Sequence, residues 1–223
     1  MKKAFLLTLL TFAPYSWGAL LTFQAAGSVE PGFFNVTIDG VLNNKLLCDE
    51  FVNVTAGQYN SLVVTLADVQ ANNLNAQSTT LRRAGVSAAK TLAIYTYIAY
   101  LDGLAYAAPL ATQALTAGDV VLANRWMVDG AKEGKSALIA DGAGAGTGTL
   151  TTGARALLSQ AQSQVSISVD PNFKIYTSPL KSDGTRLTQE LTGSGGGVPE
   201  PVTALYLGAG LVAMGLARKS KRN

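Results

Sequence analysis

The sequence predicts an α+β fold in which antiparallel strands flank an alanine-rich helical middle, with an N-terminal signal helix and a C-terminal transmembrane helix outside it. Three observations predict this fold. Aromatic and β-branched segments occur at both ends of the body. Alanine and leucine dominate its centre. An uncharged apolar run lies near each end of the chain. The body of about 175 residues is long enough for one domain with its own core.

The first residues have the pattern of an export signal. Met1-Lys2-Lys3 is basic, residues 4–13 are apolar, and Pro14 interrupts that run. In Ser16-Trp17-Gly18, the small residues Ser16 and Gly18 occupy the −3 and −1 positions of a cleavage site. This order is typical of a secretory signal peptide. We therefore predict a signal peptide over residues 1–18, export through the translocon, and cleavage by signal peptidase after Gly18 or Ala19.

The first part of the body, residues 19–192, favours strands. Residues 33–38 are aromatic and β-branched, and Asp39-Gly40 is a turn dipeptide. Residues 45–48 can return antiparallel to them, and residues 62–66 form another strand candidate. Near the end of the body, residues 165–169 and 173–177 predict a closing hairpin.

Three helices are predicted between these strands. Ser87 caps a helix that runs to about Leu101, with Gly103 as its stop. Its apolar residues surround it, which predicts a core helix. Its tyrosines have a second interpretation, as a platform for carbohydrate. A second helix is predicted over residues 119–131 with Trp126, and a third over residues 154–164.

The charge of the chain lies mostly in its ends. The formal net charge is +3, but residues 19–199 hold 11 basic and 13 acidic residues, a net of −2. A domain that binds nucleic acid needs a basic patch on its folded surface. The body is therefore not expected to bind nucleic acid.

The residue types present limit the chemistry. The chain has one cysteine, Cys48, and no histidine. Pairs of serine or cysteine with histidine, and histidine metal ligands, are therefore absent from the sequence. Asp49 and Glu50 could act as paired carboxylates, but neighbours on a strand point to opposite faces. We predict no catalytic residues, no metal site and no cofactor.

The C-terminal segment has the pattern of a membrane anchor. Residues 193–197 form a glycine- and serine-rich linker. Residues 202–217 carry no charge and would cover roughly 24 Å as a helix. The basic residues after this run favour a cytoplasmic C-terminus. They are Arg218, Lys219, Lys221 and Arg222.

These C-terminal elements together resemble the PEP-CTERM sorting signal of diderm bacteria. The motif is Val198-Pro199-Glu200-Pro201, and the apolar segment and the basic tip follow it in the right order. The resemblance implies a substrate of an exosortase-type membrane protease. Such a protein is held transiently in the inner membrane, cut near the motif, and delivered to the cell envelope or outside.

A second resemblance covers the body. Cys48-Asp49-Glu50-Phe51, the tyrosine-rich helix, the Trp126 helix, Ile175-Tyr176-Thr177 and Gln189-Glu190-Leu191 occur in that order. They look like a group of PEP-CTERM proteins that in turn resembles the thioester adhesin domains of bacterial surfaces. In those domains a Cys and a Gln side chain form an internal thioester. Here Leu122 stands four residues before Trp126 in place of Gln, and Gln113 is the nearest alternative. Without a positioned amide, Cys48 is expected to be a small buried strand residue, with an intermolecular disulfide or a free thiol as the alternatives.

Three functions follow from the sequence. The leading hypothesis is an exported surface or extracellular-matrix protein without enzymatic activity, whose body contacts exopolysaccharide or the envelope surface. The first alternative is a covalent adhesin that uses a Cys48 thioester. The second is an envelope hydrolase that uses paired carboxylates such as Asp49 and Glu50.

Overall fold

Six segments pair as one antiparallel sheet in the computed structural model, and the sheet closes into a barrel in the order β1-β2-β3-β6-β5-β4. The structure describes residues 18–23, 32–49, 57–134, 150–164, 166–177 and 190–194, without the side chains of residues 42 and 43. The strands are β1 (Ala19–Phe23), β2 (Phe33–Ile38), β3 (Val41–Cys48), β4 (Gly57–Thr65), β5 (Phe173–Thr177) and β6 (Leu191–Ser194).

The hairpin of β2 and β3 confirms the local prediction. Asp39 and Gly40 both have positive φ, 48° and 84°, which matches the twist of a tight hairpin. The Asp39 carboxyl also accepts a hydrogen bond of 2.8 Å from the backbone N–H of Leu20. The turn therefore joins β2 to β3 and contacts β1 as well.

The helices lie between β4 and β5 in the sequence. They are α1 (Leu66–Ala71), α2 (Thr80–Arg83), α3 (Ala88–Ala107), α4 (Leu110–Lys132) and α5 (Thr152–Gln162), with a short 3₁₀ helix at Ala76–Ser78. An α+β fold with antiparallel strands around a helical middle is confirmed. Among the described residues, no helix is both long and apolar enough to cross a membrane.

Two helix boundaries differ from the prediction. Ser87 caps α3 as expected, accepting from the N–H of Lys90, but α3 continues through Gly103. It ends before Pro109, because the residue before a proline disfavours the helical region. The prediction of Gly103 as the stop was wrong. Helix α4 begins at Leu110, nine residues before the predicted Asp119.

The predicted closing hairpin is also wrong in its pairing. Residues 173–177 form β5, but the described residues 166–169 form no strand. Strand β5 pairs instead with β4 and β6. The pairing with β4 joins residues more than 100 positions apart in sequence, such as Leu62 and Thr177, so no local pattern could reveal it.

The last strand includes the start of the predicted linker. Gly193 and Ser194 pair with Lys174 and Phe173 of β5 as part of β6. The signal peptide up to Trp17, the remainder of the linker, the sorting motif at 198–201, the apolar segment at 202–217 and the basic tip at 218–222 lie outside the described residues.

Helices α3 and α4 form an antiparallel pair that packs on the β3 and β6 side of the barrel. Each has a buried stripe, which includes Ile94, Ile98 and Leu101 on α3. Backbone approaches are close at two glycines. A Cβ at Gly32 would lie 2.7 Å from the Ala117 carbonyl oxygen of α4, and one at Gly193 would overlap the Tyr106 hydroxyl of α3.

Candidate functional site

Cys48 lies at the end of β3 and pairs with Leu191 of β6. It is buried and forms no disulfide. Burial, followed by the charges of Asp49 and Asp102, raises the pKa of its thiol to about 12, against the opposing effects of a backbone hydrogen bond and Arg125. Because the thiolate is the nucleophilic form, Cys48 is a poor nucleophile at neutral pH.

Gln113 occupies a different set of contacts. Its Oε1 accepts a hydrogen bond of 3.2 Å from Lys45 Nζ, and its Nε2 donates to the Tyr106 carbonyl at 3.3 Å. Lys45 precedes Cys48 by three residues, about 10 Å along a strand. Leu122, at the position of the missing Gln, packs against the core. The amide of Gln113 therefore joins the α3–α4 turn to β3.

The proposed carboxylate pair is only partly described. The side chain of Asp49 is fully buried. Glu50 lies outside the described residues. Because Asp49 is buried, a substrate in solution cannot reach its carboxyl group directly.

A second buried carboxyl group lies between the two long helices. Asp102 of α3 is 1% exposed, and its Oδ1 accepts a hydrogen bond of 2.9 Å from Asn124 Nδ2 of α4. Within the described part of the chain, Asp102 Oδ2 and Asn124 Oδ1 have no hydrogen-bond partner. A single proton on Oδ2 would provide the missing donor, because a carboxylic acid and an amide can form two hydrogen bonds side by side.

The environment of Asp102 favours that proton. Burial raises the pKa of Asp102 to about 7, and the nearby Thr192 hydroxyl and Asn124 amide offset part of the rise. The Thr192 hydroxyl of β6 does not reach hydrogen-bonding geometry with Oδ2. Asp102 therefore changes its protonation state near neutral pH, inside the contact between the helices and the barrel.

Glu190 forms a third buried polar contact at the start of β6. Its Oε2 accepts a hydrogen bond of 2.9 Å from the backbone N–H of Thr80, the first residue of α2. Its Oε1 accepts from the hydroxyl of Tyr95 on α3. Burial, and next the charge of Glu190, raises the pKa of Tyr95 well above its usual value, so Tyr95 stays a donor. This one carboxyl group joins β6, α2 and α3.

Sequence reasoning did not single out Asp102, Asn124 or the role of Glu190. The spacing of four from Ile98 places Asp102 on the buried stripe of α3, and Asn124 lies four after Val120 on that of α4. A polar residue on an apolar stripe was the available signal.

Of the tyrosines considered as a platform for carbohydrate, Tyr95 is buried and Tyr97 and Tyr100 are partly buried.

Comparisons with known proteins found no matching family model, no similar curated protein and no similar solved structure. In the described ranges, no group of three or more His, Cys, Asp or Glu side chains is arranged to hold a metal ion. The resemblances drawn from the sequence therefore remain predictions.

The state of Cys48 can be tested directly. We expect no reaction of the native full-length protein with a thiol reagent, and one thiol per chain after denaturation, because burial protects an otherwise ordinary thiol. A Cys48→Ala variant should lose the denatured signal. An intact mass short by one ammonia, with no thiol after denaturation, would instead establish the thioester.

Proposed function

We propose that this chain is an exported protein of the bacterial cell envelope or extracellular matrix. Its barrel domain has no enzymatic activity and is delivered by a signal peptide and a PEP-CTERM sorting signal. The partners in delivery are the export translocon, signal peptidase and an exosortase-type membrane protease. The protein resides transiently in the inner membrane and then reaches the envelope or the exterior.

The observation that carries this proposal is the position of the first and last described strands relative to the two predicted targeting segments. Strand β1 begins at Ala19, where signal cleavage is predicted, and β6 ends at Ser194. The glycines at 195–197 and the Val198–Pro201 motif follow at once. Both predicted targeting segments could be removed without loss of any described strand or helix. Cleavage at both ends is therefore compatible with an intact barrel.

The buried polar residues favour a non-enzymatic role over the two alternatives. A thioester adhesin needs an amide positioned beside Cys48, but Gln113 is engaged by Lys45 and Tyr106. A hydrolase needs carboxyl groups that a substrate can reach. Asp49 and Asp102 are both buried. The buried carboxyl groups of Asp102 and Glu190 instead join elements of the fold.

The test follows the two ends of the protein in a diderm host. We expect the mature protein to begin at Ala19 or Leu20 and to lack residues 202–223 when the exosortase-type protease is present. In a strain without that protease, the tail should remain and the protein should stay in the inner membrane. Intact mass and terminal peptides of each cell fraction measure this.

A matched pair of variants separates sorting from folding. Glu200→Ala should keep the tail attached, whereas Glu133→Ala, an exposed residue at the end of α4, should be processed normally. A full-length chain that keeps residues 1–18 and stays in the cytosol would contradict the proposal.

A further inference from the structure

The turn between α3 and α4 forms an apolar, uncharged end of the helical pair. No charged residue occurs between Asp102 and Asp119. We call residues 103–118 the hairpin tip. Leu110 is 86% exposed and Leu115 is 73% exposed, although both are large apolar side chains. Ala107, Pro109 and Ala111 are also exposed. Two exposed leucines within one uncharged segment can enter an apolar medium without dehydrating a charged side chain.

The hairpin tip lies at the end of the barrel where the chain leaves β6. The Tyr106 hydroxyl donates a hydrogen bond of 2.6 Å to the Lys45 carbonyl, and a Cβ at Gly193 would overlap that hydroxyl. Gln113, in the first turn of α4, contacts both Lys45 and Tyr106. Ser194, the last residue of β6, is therefore a close neighbour of the tip.

The sequence after Ser194 limits how far this end can be from a membrane. Seven residues, 195–201, separate Ser194 from the predicted transmembrane helix at 202–217. Fully extended, they reach at most about 25 Å. As long as the tail is attached, the end of the barrel that carries the tip is held beside the bilayer surface.

We propose that the hairpin tip docks on the outer surface of the lipid bilayer that holds the tail, an inference that rests on the proposed function. Leu110 and Leu115 enter the boundary between headgroups and acyl chains. The tip has no charged side chain that would lose hydration there. Docking orients the barrel while the linker is presented to the membrane protease.

The positions of the two leucines favour lipid over a protein partner. They are five residues apart, so they project about 140° apart around α4. A protein interface needs a continuous face, usually above about 1,000 Å² in total. Fluid lipid can surround a tip from several sides. A second copy of this chain and the apolar segment 202–217 are the competing occupants.

The test uses the full-length chain anchored in the membranes of a strain without the sorting protease. The photo-cross-linker benzoylphenylalanine replaces Leu110, Leu115 or, as a control, Leu74, which is 87% exposed. Leu74 is close in sequence to Ser78, whose carbonyl accepts a hydrogen bond from the Thr177 hydroxyl. Thr177 is at one end of β5, and Phe173, which pairs with Ser194, is at the other. We expect roughly tenfold more lipid adduct at 110 and 115 than at 74, since only the former lie in the headgroup region.

The outcomes separate this inference from the proposed function. Suppose that the protein stays in the membrane after alkaline carbonate extraction. The docking proposal alone then fails if positions 110 and 115 cross-link to residues 202–217 or to a second copy. It also fails if they cross-link to lipid no more than position 74 does. If carbonate releases the protein, membrane anchoring and docking both fail. A Leu110→Glu variant should reduce the lipid adduct at 115 several-fold, whereas Leu74→Glu should not.

Discussion

Replacing Glu190 with alanine is expected to lower the free energy of unfolding by about 2–5 kcal/mol, because two buried donors lose their acceptor. The donors are the backbone N–H of Thr80 and the hydroxyl of Tyr95. Thr79, the N-cap residue of α2, makes no side-chain capping bond, so Glu190 is the acceptor at that helix end. Guanidinium unfolding of the purified full-length protein in a mild detergent measures the change.

A double-mutant cycle isolates the contact with Tyr95. Tyr95→Phe removes one donor, and the combined variant should be less destabilised than the sum of the two single variants. Glu133→Ala, at an exposed position, should change stability by no more than about 0.5 kcal/mol. An effect of Glu190→Ala as small as that of Glu133→Ala would show that the buried contact does not stabilise the fold.

Asp102→Asn is expected to remove a pH dependence from the stability of the protein. Burial raises the pKa of Asp102 from 3.8 to about 7, so the folded state binds its proton more tightly than the unfolded state. The resulting stabilisation is complete below the unfolded pKa and is lost as the pH rises through the folded pKa. Between about pH 4 and pH 7, the free energy of unfolding of the wild type should therefore fall by up to about 4 kcal/mol relative to that of the variant.

The variant replaces the protonated acid with an amide that has the same shape. Its Nδ2 can donate to Asn124 Oδ1, which has no partner within the described residues of the wild type. At pH 8 we expect Asp102→Asn to be the more stable protein, and at pH 4 to be similar to the wild type. Unfolding curves across this pH range measure the difference.

Asp129→Asn provides the matched control for this experiment. Asp129 lies on α4 and pairs at the surface with Arg125 and Lys132. Its replacement should leave the pH dependence in place. A wild type and an Asp102→Asn variant that respond equally to pH would show that Asp102 is ionised in the folded protein throughout this range.

Local features of the fold were predictable because neighbouring residues determine them. Asp39-Gly40 formed the expected turn, residues 33–38 formed a strand, and Ser87 capped α3. Gly103 misled the prediction. A single glycine costs a helix only about 1 kcal/mol, and the buried residues beyond it, such as Ala105, stabilise the continuation.

The candidate site was less predictable than the fold. Cys48 was singled out, but its burial and its high pKa depend on β6 and on Asp49 and Asp102. Glu190 reaches Thr80 across 110 residues of sequence. Such contacts form only when distant segments meet, and a single sequence carries no sign of which polar residues will pair.

The sequence by itself determined the hydrophobic periods of the strands and helices, the turn and cap residues, and the targeting-signal patterns of both ends, because these depend on adjacent residues. The tertiary structure alone decided that the sheet closes by pairing of β1 with β4, that Asp102 faces Asn124, and that Leu110 is exposed near the end of β6. Closure and burial depend on long-range packing, in which the whole core selects the partner of each residue.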